Sequence, residues 1–111
     1  MAVIDKFLSI QTHGAGGTLI VRGETVDEEG NLVDLADDAE ILVAVIQVGH
    51  LTNRADLKVE EPLSNPWVAK TGSHHFNKND EVIAVGAATH KAGDRPHLFA
   101  DGFTVTHETS T

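Results

Sequence analysis

Any chemistry in this chain must come from histidines and carboxylates. Its 111 residues include seven histidines but no cysteine or tyrosine. Disulfides, thiolate nucleophiles and cysteine-ligated zinc are therefore excluded. Imidazoles joined by a carboxylate can hold a divalent metal. The adjacent histidines are His74-His75. On a strand, however, adjacent residues such as His74 and His75 point to opposite faces. His13, His50, His90 and His107 stand singly near turns or strand ends, and several such ends could converge at one pole of a β-fold as a His/carboxylate site. Spacing alone does not fix that convergence. There is no Gly-x-Ser-x-Gly elbow and no Cys–His pair, so no catalytic residue is assigned. The segment His13-Gly14-Ala15-Gly16-Gly17 lacks the Lys-Ser/Thr and following helix of a phosphate-binding loop, and it reads as a turn.

Carboxylates are abundant but dispersed. Seventeen Asp and Glu against eight Lys and Arg give a formal charge of −9. Such a surface repels phosphate backbones and anionic lipid, so nucleic-acid binding is not expected. Eight of the acids fall between Glu24 and Glu40, where there is no Lys or Arg. Clustered oxygens suit calcium, but this stretch lacks the ordered Asp-x-Asp ladder of an EF-hand loop and is expected to be a solvated acidic rim.

The segments that must position these groups are short and β-like. Ile41-Leu42-Val43-Ala44-Val45-Ile46-Gln47-Val48 is the most apolar run, rich in β-branched residues and closed by Gly49. Glu81-Val82-Ile83-Ala84-Val85-Gly86-Ala87-Ala88 is the second, and the two are expected to be neighbours in the core. Ala55-Asp56-Leu57-Lys58-Val59-Glu60 alternates strictly, as a half-buried strand does. Pro62 and Pro66 stop that strand by Glu61. Thr18–Val26 and Leu32–Leu35, joined across Gly30-Asn31, suggest a hairpin. Val3–Ile10 is mixed in period and suggests an edge strand starting near Phe7. Trp67-Val68-Ala69-Lys70 and Phe103–His107 complete about seven strands, with Trp67 as a core anchor. Turn signals every 8–12 residues, with no helical period, predict a single all-β domain over residues 1–111. Its core should span 7–107, with 108–111 frayed, and its form should be an antiparallel two-sheet sandwich.

Two families share parts of this pattern. Trp67-Val68-Ala69, Phe76 to Val82 and Val85-Gly86-Ala87-Ala88, with Thr18–Val26 before them, resemble the strands of small bacterial immunoglobulin-like domains over roughly residues 17–107. That resemblance implies a sandwich used in adhesion, assembly or recognition, and it carries over no functional residue. The chain lacks the cysteine pair and tyrosine corner of antibody-type domains. His74-His75, Glu81, Gly86 and Ala92 to His97 are similar to the two motifs of cupins, small β-barrels that hold a divalent metal. That resemblance implies His74, His75, Glu81 and His97 as metal ligands of a small metal-dependent enzyme. The spacings depart from the family: Glu81 is too far from the histidines, and His97 is too close to Gly86.

The central run carries more apolar surface than a two-layer sandwich buries. Ile41, Val43 and Val45 occupy one face and Leu42, Ala44, Ile46 and Val48 the other. With no helix to cover the surplus, another subunit is the expected cover. The leading expectation is thus a non-enzymatic structural or interaction module, of the kind found in self-assembling accessory, adhesion or virion-type subunits. Its partner would be a second copy or another protein. A cupin-like enzyme and a carbohydrate-binding module are the alternatives, the latter weakened by a single Trp and no Tyr. No cofactor is required, and Met1 to Lys6 lacks the basic and long apolar regions of a secretory leader. No run approaches the ~20 apolar residues of a membrane span. A cytoplasmic or assembly-associated location is expected.

Overall fold

Alternation of period two governs nearly every segment of the chain, and the exceptions explain its architecture. The computed structural model describes residues 3–13, 17–60, 63–72, 75–91 and 93–107. His74, Gly14 to Gly16, Ala92 and the tail 108–111 lie outside the described residues. Eight strands form: β1 (Val3–His13), β2 (Thr18–Asp27), β3 (Glu40–Gln47), β4 (His50–Val59), β5 (Trp67–Thr71), β6 (Glu81–Thr89), β7 (His97–Thr104) and β8 (Thr106–His107). Among the described residues there is no helix, so no helix is long and apolar enough to cross a membrane.

The all-β class agrees with the sequence, but the layering differs. Where two stacked antiparallel sheets are expected, one mixed sheet runs in the order β7-β6-β3-β4-β5-β2-β1-β8. All pairs are antiparallel except the short parallel β1–β8 pair. β7 ends one edge of this sheet, yet β8, separated from it by Val105 alone, pairs with β1 at the other edge. A single residue spans only a few ångströms, so the two edges must meet and the sheet must roll. Val105 is fully buried in the fold where they meet. It is pinned by Val105 N–H donating to the Asp80 carbonyl at 2.9 Å and by Asn79 N–H donating to its own carbonyl at 2.7 Å. Among the described residues no backbone ladder joins β1 to β7; side chains close that seam.

The two apolar runs are neighbours, as their composition suggests: β3 and β6 pair in register from Glu40↔Thr89 to Gln47↔Val82. Ile41, Val43, Val45, Val82, Ala84 and Ala88 face the core, joined by Leu57 and Val59 of β4 and by Trp67. β4 starts at His50, directly after a two-residue turn with Gly49 at φ 86°, five residues before the alternating stretch that begins at Ala55.

β1 shows why its period looked mixed. A bulge between Phe7 and Ser9 leaves Leu8 half-exposed as an extra residue. The inward set then changes parity, so Asp5 and Phe7 before the bulge, and Ile10 and Thr12 after it, are all buried. The strand also begins at Val3, earlier than expected.

The expected hairpin over 18–35 does not form. β2 is occupied on one side by β1 and on the other by β5, so residues 32–35 find only a free end. Leu32 makes one isolated bridge to Val26, and Val33 N–H donates to the Thr25 carbonyl at 3.2 Å.

The turn after β2 is organised by Asp27. Its carboxylate accepts the amide hydrogens of Asn31 at 3.0 Å and Glu29 at 2.9 Å. These bonds, that from Asn31 foremost, hold its pKa below the ordinary aspartate value. A lowered pKa means the folded turn favours the ionised form. Its contribution is complete above the ordinary value and is lost as pH falls through the lowered one. In an acid titration followed by NMR, the Glu29 and Asn31 amides should therefore shift together, with a midpoint more acidic than that of an unstructured aspartate. A midpoint at the unstructured value would contradict this.

Candidate functional site

Two features of the rolled sheet can do something beyond holding the fold. One is a histidine–carboxylate cluster at the seam; the other is the outer face of β7, β6 and β3.

Asp5 faces inward because it precedes the bulge of β1 on the buried parity. Its side chain is only 1% exposed. Oδ1 accepts a hydrogen bond from the Thr25 hydroxyl at 2.6 Å, and that hydroxyl oxygen in turn accepts from the Trp67 indole N–H at 3.3 Å. Oδ2 faces two imidazoles, His90 Nε2 at 2.9 Å and His97 Nδ1 at 3.3 Å. A carboxylate only accepts, so each of these bonds needs a ring N–H. Among the described residues, no Lys or Arg is paired with Asp5.

His90 follows the end of β6 and His97 opens β7, so the two flank one connection and their rings meet edge to face at 5.3 Å. A cavity of about 220 Å³ lined by Val3, Thr25, Val33, Asp34, Leu35 and His90 adjoins the cluster. Next along the seam, Phe7 packs on Phe99 at 4.7 Å, on Trp67 at 5.8 Å and on Phe103 at 6.2 Å. Polar cluster and aromatic stack together join β1 to β7 where the ladder does not.

The ligand set implied by the cupin likeness is not assembled. Glu81 opens β6, whereas His97 pairs with Ala88 at the far end of the same β6–β7 ladder. Seven residues of strand separate those levels, roughly 23 Å. His75 is exposed, with its carbonyl accepting from the Asn53 side chain at 3.2 Å. His74 lies outside the described residues. Of the four residues the cupin likeness implies, only His97 enters the cluster. His90 was noted as a lone histidine, and Asp5 carried no signal at all.

The acidic stretch behaves as a rim. Glu28, Glu29, Asp34, Asp37 and Asp38 are exposed, and Glu40 pairs with Lys58 at 3.2 Å. Among the described residues, it contributes no converging set of three ligands.

The outer face has the opposite character. Leu42, Ala44 and Ile46 on β3 lie beside Ala87, Val85 and Ile83 on β6. Those in turn lie beside Leu98, Ala100 and Gly102 on β7. All nine outward positions are apolar. Leu42 is 44% exposed, Ile83 43% and Leu98 78%. The neighbouring outward row on β4 is charged: Arg54, Asp56 and Lys58 pair with Ile46, Ala44 and Leu42. A shallow depression of about 340 Å³, bordered by Leu42, Ala44, Asp56, Val85 and Ala87, lies within the face.

Known proteins do not supply a shorter route to function. No family model matches the chain, and no curated protein or solved structure matches it. What fold and sites define is a class: an all-β protein with a rolled sheet, a buried carboxylate under two histidines, and an uncovered apolar face.

Proposed function

We propose that this protein is a non-enzymatic structural module that associates with a second copy of itself through the outer face of β7, β6 and β3. One observation carries the reading: nine adjacent outward positions on three neighbouring strands without a polar side chain. Three strands about 4.8 Å apart and three outward positions along each give roughly 300 Å² of apolar surface. That is the size of the largest apolar patch on a typical monomer, about 300–600 Å² and often functional, and it would form the centre of an interface whose standard size is ~800 Å² per partner. Arg54, Asp56, Lys58, Glu40 and Glu81 supply a polar rim of mixed sign. On a chain of net charge −9, this uncharged face is where two copies meet without like-charge contact. The immunoglobulin-like likeness rests on the strand pattern of the sequence alone, and the assembly role proposed here rests on the outer face rather than on a two-layer sandwich. The cupin-like enzyme receives less support, because Glu81 and His97 stand at opposite ends of one ladder.

Val85 sits at the centre of the face, between Ala44 and Ala100. Val85→Arg places a charge there and is expected to weaken association by about 2 kcal/mol or more, a roughly 30-fold rise in Kd. Because the side chain points outward, thermal stability of the monomer should change little. Sedimentation equilibrium of the unaltered chain should show a dimer or larger species, and of V85R a monomer. If the unaltered chain sediments as a monomer up to several hundred micromolar, the reading is wrong.

A further inference from the structure

We propose that Asp5, His90 and His97 form a binding site for a divalent first-row transition-metal cation, with zinc as the representative ion. The site is separate from the outer face argued above, so a monomeric protein would bind the ion equally well.

The geometry is that of one ion's ligands. The three donor atoms, Asp5 Oδ2, His90 Nε2 and His97 Nδ1, lie within 4.8 Å of one another. Two ligands of a single ion with bonds of about 2.0–2.1 Å stand roughly 3.0–3.4 Å apart, depending on coordination geometry. The observed 2.9 Å and 3.3 Å from the carboxylate oxygen to the two nitrogens are close to that range, and the two nitrogens, within 4.8 Å of each other, would draw together around an ion. The β6–β7 connection brings the two histidines together, and the rolling of the sheet brings Asp5 on β1 to them.

The surroundings are those of a supported ligand. Asp5 Oδ1 is held by the Thr25 hydroxyl, itself held by the Trp67 indole. Outer hydrogen bonds of this kind orient a ligating carboxylate and leave its other oxygen for the ion. The carboxylate is buried without a Lys or Arg partner among the described residues, and a buried anion is costly unless a cation compensates it. Exposure rises from Asp5 through His90 at 26% to His97 at 59%. The outer side is therefore open to an entering ion and to water for the other coordination positions. Two imidazole nitrogens and one carboxylate oxygen select zinc, cobalt, nickel or iron(II) over calcium and magnesium, which prefer oxygen alone. Because the site spans β1 and the β6–β7 connection, bound metal would tie the seam and stabilise the fold by mass action.

The test uses the full chain, purified without an affinity tag and stripped with chelator, titrated with Zn²⁺ by calorimetry and examined with Co²⁺ by visible absorption. The expected result is one zinc per chain, ligand-field bands of low-coordinate Co²⁺, and a higher Tm with zinc. His90→Gln and His97→Gln should each weaken zinc binding by roughly tenfold or more, whereas the exposed His50→Gln should leave it unchanged. His97 is exposed enough that H97Q will fold, and circular dichroism verifies this. Substoichiometric zinc, or equal binding by H97Q and the unaltered chain, would mean adventitious binding by surface histidines. Either result would reduce the cluster to a hydrogen-bonded staple.

Discussion

Gly23→Ala is expected to cost about 3 kcal/mol or more of folding stability, at the upper end of overpacking penalties. Gly23 on β2 is the register partner of Phe7 on β1 and of Trp67 on β5. The indole lies over the glycine, in the space a side chain would fill. A Cβ there would stand 2.2 Å and 2.3 Å from two ring atoms of Trp67, and 2.7 Å from the Lys6 carbonyl oxygen. Neither neighbour can retreat: Trp67 is fully buried and edge-packed on Phe7, and the Lys6 carbonyl is backbone of β1.

A second glycine provides the control. A Cβ at Gly86 would meet the Phe99 ring at 2.3 Å, but Phe99 is only partly buried on β7, and its ring can swing outward. Gly86→Ala should therefore cost less, about 1–2 kcal/mol. Urea unfolding measures both. Since small domains have only about 5–15 kcal/mol in total, G23A should lower the midpoint visibly. Equal costs for the two variants, or a G23A loss under about 1 kcal/mol, would show that the indole is not the constraint.

Asn65→Asp should be more damaging than Asn65→Ala, the reverse of what a surface position would show. The Asn65 side chain closes the end of β2 beyond the reach of β5. Its Nδ2 donates to the Thr25 carbonyl at 2.7 Å and to the Val33 carbonyl at 2.6 Å, while its Oδ1 accepts from Thr25 N–H at 3.1 Å. Thr25 is fully buried, so losing this side chain takes the partner from its N–H, while its carbonyl keeps the Val33 N–H. Alanine should cost about 1–3 kcal/mol on that account. An ionised aspartate keeps the acceptor, loses both donors and sets an anion against two carbonyl oxygens. N65D should therefore fall below N65A at neutral pH and recover towards it in acid, where the protonated carboxyl can donate again. Should N65D match the unaltered chain at pH 7, the clasp has no energetic role.

The elements themselves were legible wherever one face of a strand is buried along its length. β4 and the paired β3 and β6 follow directly from alternation and from continuous apolar runs. Trp67 as anchor and Gly30 as a turn residue of positive φ follow from their types. β1 was less legible because one bulged residue at Leu8 reverses the parity, and a local period cannot be read through such a break. Phe76, although followed by the polar residues Asn77, Lys78, Asn79 and Asp80, is a buried core residue.

The sequence by itself determined that the protein is all-β, which face of β4 is the buried one, and that its central strands carry apolar surface in excess. Those properties are local, set by side-chain type and a two-residue repeat. Only the tertiary structure decided that the strands make one rolled sheet, that Asp5 meets His90 and His97, and that β7, β6 and β3 share one bare face. Each depends on which strands are neighbours, and that is fixed by contacts between segments far apart in the chain, such as His97 on Asp5, 92 residues away, and Thr106 on Ile10, 96 residues away. No short window of sequence contains such a contact. Loop closure and the packing of Phe7, Trp67 and Phe99 at the seam, rather than any local preference, bring those segments together.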